Sequence, residues 1–111
     1  MRIEKEQFEA LKAKDARAKK YTVTLPSEVV DVVLRPPSRV EWRAFKALRS
    51  NGDDTKSASA NDQLLLTCIL FPDPKSAEYT QLTDAYPGLS DTLWSYLGQM
   101  AGMTSKVEVG E

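Results

Sequence analysis

The side chains in this chain that could do chemistry are few and scattered. There is one cysteine, Cys68, and no histidine in 111 residues. Without histidine there is no Ser-His-Asp triad, no Cys-His pair, no HExxH zinc site and no imidazole base for neutral pH. A single cysteine forms no intrachain disulfide, which points to a reducing compartment, and no CxxC pattern offers a zinc site. Asp53 and Asp54 are adjacent acids without the alternating ligands of a calcium loop, and Asp73, Glu78 and Asp84 read as capping or solvated-face residues. The five glycines are scattered, so neither GxxxxGK[ST] nor GxGxxG is present to cradle a phosphate. We therefore expect no catalytic residues, no cofactor and no metal, and a protein that is not an enzyme.

Charge narrows the partners. The net charge is −1 with 28% charged residues, so no global field draws the chain to nucleic acid or a membrane. The one basic cluster, Lys12 to Lys20, is first a solvated helix end and second a contact surface. The longest apolar run, Leu64 to Phe71, is far too short to span a bilayer, and the first residues are too charged for a signal peptide. The expected location is the cytoplasm, with no membrane and no nucleic-acid partner.

The elements that must position these residues can be read from periodicity. Residues 3–19 suggest a helix with a thin apolar stripe of Ile3, Phe8, Leu11 and Ala18, loosely docked. Tyr21–Leu25 and Val29–Arg35 are rich in β-branched residues and predict an antiparallel hairpin over about 21–35. Val30, Val32 and Leu34 should share one face of it, and Val29, Asp31, Val33 and Arg35 the other. Pro36-Pro37 ends the strand, and Ser38 with Glu41 forms a capping box for a helix running to Arg49 and carrying Val40, Phe45 and Leu48 on one side. Residues 50–59 read as a loop. Asn61 is the expected cap of an apolar helix to Leu70, Asp73-Pro74 the start of a helix bearing Tyr79, Leu82 and Tyr86, and Ser90 the cap of a last helix with a Leu93, Trp94, Leu97, Met100 and Ala101 stripe. Gly102 is its natural stop.

The expected fold class is therefore α+β and mostly α, a hairpin packed on four to five helices. The expected organisation is a single globular domain over residues 1–103, with residues 1–20 a loosely docked helix, and a flexible tail over 104–111. Trp42, Tyr79, Trp94, Tyr96 and Met100 exceed what so small a core needs. They are the candidate exposed, partner-binding residues, although Trp42 alone reads first as an edge-of-core anchor and second as a partner-binding aromatic.

The order of these features resembles the small tail assembly chaperones of long-tailed bacteriophages. VVLRPPSRVEWRAFKA is similar to that family's strand ending in Arg-Pro-Pro and its capped helix with an aromatic. LLLTCILFPDP resembles its apolar helix ending in a Cys-aliphatic-aromatic-Pro-Asp segment, and YPGLSDTLWSYLGQMAG its proline turn and closing helix. The likeness is one of pattern and covers about 21–102. It implies an assembly factor absent from the mature virion and working in the cytoplasm of an infected bacterium. Such a factor binds the tape-measure protein, helps recruit tail-tube protein, and in some members exists in a longer frameshifted form joined after Met103. Self-association is left open. Alternative readings are a head–tail connector or completion protein that stays in the particle, and a small DNA-binding regulator using Lys12 to Lys20.

Overall fold

The computed structural model describes residues 2–50, 52 and 54–102, with side chains described throughout except for 54–58. The fold is α+β and mostly α. In chain order the elements are α1 (Lys5–Lys14), β1 (Lys19–Thr24), β2 (Val29–Leu34), α2 (Arg39–Arg49), α3 (Asp54–Cys68), β3 (Ile69–Phe71), α4 (Ala77–Ala85) and α5 (Leu89–Met100). The three strands make one antiparallel sheet in the order β1-β2-β3.

The hairpin forms where its composition places it. Lys19 faces Leu34 and Thr24 faces Val29, and the Leu25 N–H closes the turn onto the Glu28 carbonyl at 2.8 Å. As the alternation predicts, Val30, Val32 and Leu34 enter the main core with Val23, Phe45, Leu64, Leu93 and Leu97. Val33 points the other way, into a smaller cluster with Ile3 and Ala18, edged by the half-buried Phe8, Leu11, Leu70 and Phe71. Both faces of β2 are thus covered, and α1 is the cover of the second. No residue of α1 itself is buried.

Asp31 lies on that second face at 1% exposure. Its Oδ2 accepts the Ile3 backbone N–H at 3.0 Å and the Arg2 Nε–H at 2.9 Å, and its Oδ1 accepts the Thr22 hydroxyl at 2.9 Å. A buried carboxylate survives only with such partners. Burial pushes its pKa up, but the hydrogen bonds from Arg2, Ile3 and Thr22, with the Arg2 charge, outweigh it and hold the carboxyl below its ordinary range.

The structure departs from the sequence-based expectations at several boundaries. The first helix ends at Lys14, five residues early, since Asp15 leaves helical geometry and its side chain accepts the Arg17 N–H in a local turn. Residues 54–59, expected in a loop, are helical: α3 starts at Asp54 and runs straight through Asn61. Asn61 is therefore not a cap, and its Oδ1 is buried with no hydrogen-bond partner among the described residues. The apolar stretch expected to stay helical to Leu70 becomes β3, because Val33 and Leu34 offer it a ladder. The register shift there lets Ile69 join the main core while Leu70 and Phe71 join the α1 side. Asp73 makes a turn with the Lys75 N–H, and Ser76 is the cap of α4, accepting the Tyr79 N–H at 3.2 Å. The last helix begins at Leu89, one residue before Ser90, with Gly88 at the cap position. Val40, expected on the core side of α2, is 75% exposed. Gly102 does end α5, with φ at +81°, a conformation glycine adopts without steric cost. The expected tail over 104–111, the boundary at 103 and Asp53 lie outside the described residues, as does the Asp54 side chain.

One ion pair ties three elements together. Arg35, just past β2, donates from Nη1 to Glu41 Oε1 and from Nη2 to Glu41 Oε2, both at 2.8 Å, and from Nη2 to the Thr67 carbonyl near the end of α3 at 3.1 Å. Glu41 also accepts the Ser38 N–H at 2.8 Å, while Ser38 Oγ accepts the Glu41 N–H at 3.1 Å, so the expected capping box is present. The Arg35 hydrogen bonds, opposed by burial and aided by Ser38, hold the Glu41 carboxyl down to about 2, against an ordinary 4.5. A depressed carboxylate contributes stability above its unfolded pKa, and that contribution is lost as pH falls toward the folded value. Glu41→Gln is expected to cost about 2 kcal/mol near neutral pH, after discounting for partial exposure. In urea melts the cost should shrink between pH 4.5 and about 2. A variant whose deficit is unchanged at acid pH would show that the pair is not the source.

Candidate partner-binding surface

The aromatic residues singled out from the sequence do not stand alike. Trp42 and Trp94 are half-buried and come together through Phe45. The Phe45 ring lies 5.0 Å from Trp42, tilted by 42°, and 5.3 Å from Trp94, tilted by 52°. Such tilted pairs suit the ring quadrupoles. Phe45 is buried, so it is the inner member of a row whose two indoles reach the surface. The row exists because α2 places residues 42 and 45 one turn apart and α5 packs Trp94 beside them. Met100, also half-buried, meets Trp42 across a cleft of about 250 Å3 next to Pro36 and Pro37.

The other two candidates go elsewhere. Tyr96 is half-buried and stacks on Tyr21 of β1, rings 4.3 Å apart and 4° from parallel, which fastens α5 to the sheet. Tyr79 is only 6% exposed, contrary to the expectation that it lies at the surface. Its place at the first buried turn of α4, one turn before Leu82, puts it in the core. Phe45 is the member that sequence reasoning assigned to packing alone. The signal that could have found its second role was its position three residues after Trp42.

Cys68 is fully buried, and burial pushes its thiol up to about 11, so it stays protonated and acts as a small hydrophobe. Among the described residues no group of three or more His, Cys, Asp or Glu is placed to hold a metal ion, and no helix is long and apolar enough to cross a membrane.

These features define a small α+β fold with an aromatic row at the seam of two helices. No family model matches the chain, and no curated protein matches it. Among solved structures it is similar to an uncharacterised protein of Bacillus stearothermophilus, rbstp2171, with a TM-score of 0.65 and 20% identity over 92% of this chain and 98% of that one. At that identity the likeness speaks to the fold.

Proposed function

We propose that the protein is a tail assembly chaperone of a long-tailed phage, a binding protein with no catalytic site that acts in the cytoplasm of the infected bacterium. The observation that carries the reading is the Trp42–Phe45–Trp94 row with Met100 beside it. Two large indoles held at the surface on a buried aromatic base are a ready docking site for an apolar helix. The resemblance supplies the client, the tape-measure protein, with the tail-tube protein as later partner. Half-exposed anchors suit a client that must later be released, since they leave affinity moderate.

Co-expression is expected to raise the solubility of the tape-measure protein and to yield a co-purifying complex. Trp42→Ala should weaken that complex about thirtyfold, the loss typical of an interface hot spot, while lowering the protein's own stability by only about 1–2 kcal/mol because the indole is half-exposed. Pull-down and thermal melts on the same variant separate the two effects. Absence of co-purification, or abundant copies of the protein in mature particles, would refute the chaperone role; the second result favours a connector or completion protein.

A further inference from the structure

Charge is spread unevenly along this nearly neutral chain. Residues 1–49 carry 12 Lys and Arg against 7 Asp and Glu, and residues 50–111 carry 3 against 9. Part of the basic excess is organised. On α2, Arg39, Trp42, Arg43, Lys46 and Arg49 recur at spacings of three and four, which places them within one arc of about 120° of the helix. Glu41 lies outside that arc, tied to Arg35.

Three cations of this arc differ from the two that the fold uses in ion pairs. Arg2 is used on Asp31 and Arg35 on Glu41. The side chains of Arg39, Arg43 and Lys46 are exposed, with no hydrogen bond or ion pair among the described residues. Arg49 lies over the Phe45 ring at 5.9 Å. Like charges a turn apart disfavour the helix. Trp42 stands among them with a cleft on each side. One, of about 260 Å3, is lined by Phe45, Lys46 and Arg49. The other, of about 250 Å3, is lined by Arg17 and Arg39 with Pro37 and Met100. Among the described residues no acid lines either cleft.

We propose that this face of α2 docks an acidic amphipathic helix of a partner protein. Its carboxylates meet Arg39, Arg43 and Lys46, and its apolar side chains enter the clefts beside Trp42. Spacing favours a helix over a nucleic acid: cations three and four residues apart on α2 advance about 4.5–6 Å, the advance of carboxylates three and four apart on a second helix. A base also needs a free ring face to stack on, and the Trp42 indole already leans on Phe45. The inference rests on the aromatic row being the docking surface, and adds the charge its partner must carry.

The probe is a labelled helical peptide of about twenty residues, with Glu at i and i+4 on one face and Leu on the other, titrated into the full-length protein by fluorescence anisotropy. Binding is expected to weaken steadily with added salt and by roughly tenfold or more in R39Q/R43Q/K46Q, whose altered side chains are exposed. It should be unchanged in K12Q/K14Q/K19Q/K20Q, which removes a larger basic cluster elsewhere. An equal loss in both variants, no loss in the first, or displacement of the peptide by a single-stranded oligonucleotide would overturn the proposal. Peptide binding without tape-measure co-purification sinks the chaperone reading and leaves the acidic-helix site standing. Co-purification that is insensitive to salt and to the α2 variant, with no peptide binding, does the reverse.

Discussion

Asp31→Ala is expected to destabilise the protein by about 3 kcal/mol. The carboxylate is 1% exposed and accepts three hydrogen bonds, one of them the backbone N–H of Ile3, which is itself buried. Removing it leaves that N–H unpaired at a cost of about 1–3 kcal/mol, and forfeits charge-assisted bonds to Arg2 and Thr22 as well. The total stays below a simple sum because Arg2 is 61% exposed and can turn to water. By the same reasoning Arg2→Ala alone should cost less than about 1 kcal/mol. The pH dependence has a definite sign. Asp31 titrates lower folded than unfolded, so its contribution is complete above the ordinary carboxylate range and disappears as acid protonates the folded state. Asp31→Asn should therefore flatten the acid limb of the stability curve. Because Asp31 holds the residues just before α1, the variant should also speed amide exchange in α1 more than in α5. Urea melts that place Asp31→Ala within 1 kcal/mol of the parent would mean that desolvation of the carboxylate cancels its bonds.

The sites where sequence reasoning fell short share a physical cause. The hairpin was legible because both strands carry β-branched residues and a proline stop, and its two faces because alternation admits one answer. The Ser38–Glu41 box was legible because both partners are local. Asn61 misled because a residue that favours caps also occurs in mid-helix when tertiary packing of Ala60, Leu64 and Leu65 wins over propensity. Ile69–Phe71 misled because a short apolar run has no period of its own, and the ladder that makes it a strand is contributed by Val33 and Leu34, more than thirty residues away. The role of Asp31 was likewise invisible: alternation put it on the second face, but nothing local announced that Arg2, Ile3 and Thr22 would converge there. In the candidate site, spacing placed Trp42 and Phe45 one turn apart, whereas Trp94 reaches them only through the packing of α5, and Tyr96 is drawn off by Tyr21.

Phe45→Ala should have the larger effect of any change in the aromatic row, about 4 kcal/mol. Deleting a buried phenyl ring costs about 3–5 kcal/mol in transfer and cavity terms, and here the ring is also the shared neighbour of two indoles. For a domain held by about 5–15 kcal/mol, that is a large fraction of the total. Tryptophan emission should shift to the red as Trp42 and Trp94 lose their common base. The informative variant is Phe45→Leu. Leucine keeps most of the apolar volume, so stability should fall by only about 1–1.5 kcal/mol. Yet the tilted contacts that hold the two indoles are gone. If the row works as a preorganised surface, Phe45→Leu should bind the client several-fold more weakly while melting close to the parent. Client binding equal to the parent's would mean that the indoles need no fixed orientation, and that Phe45 serves the core alone.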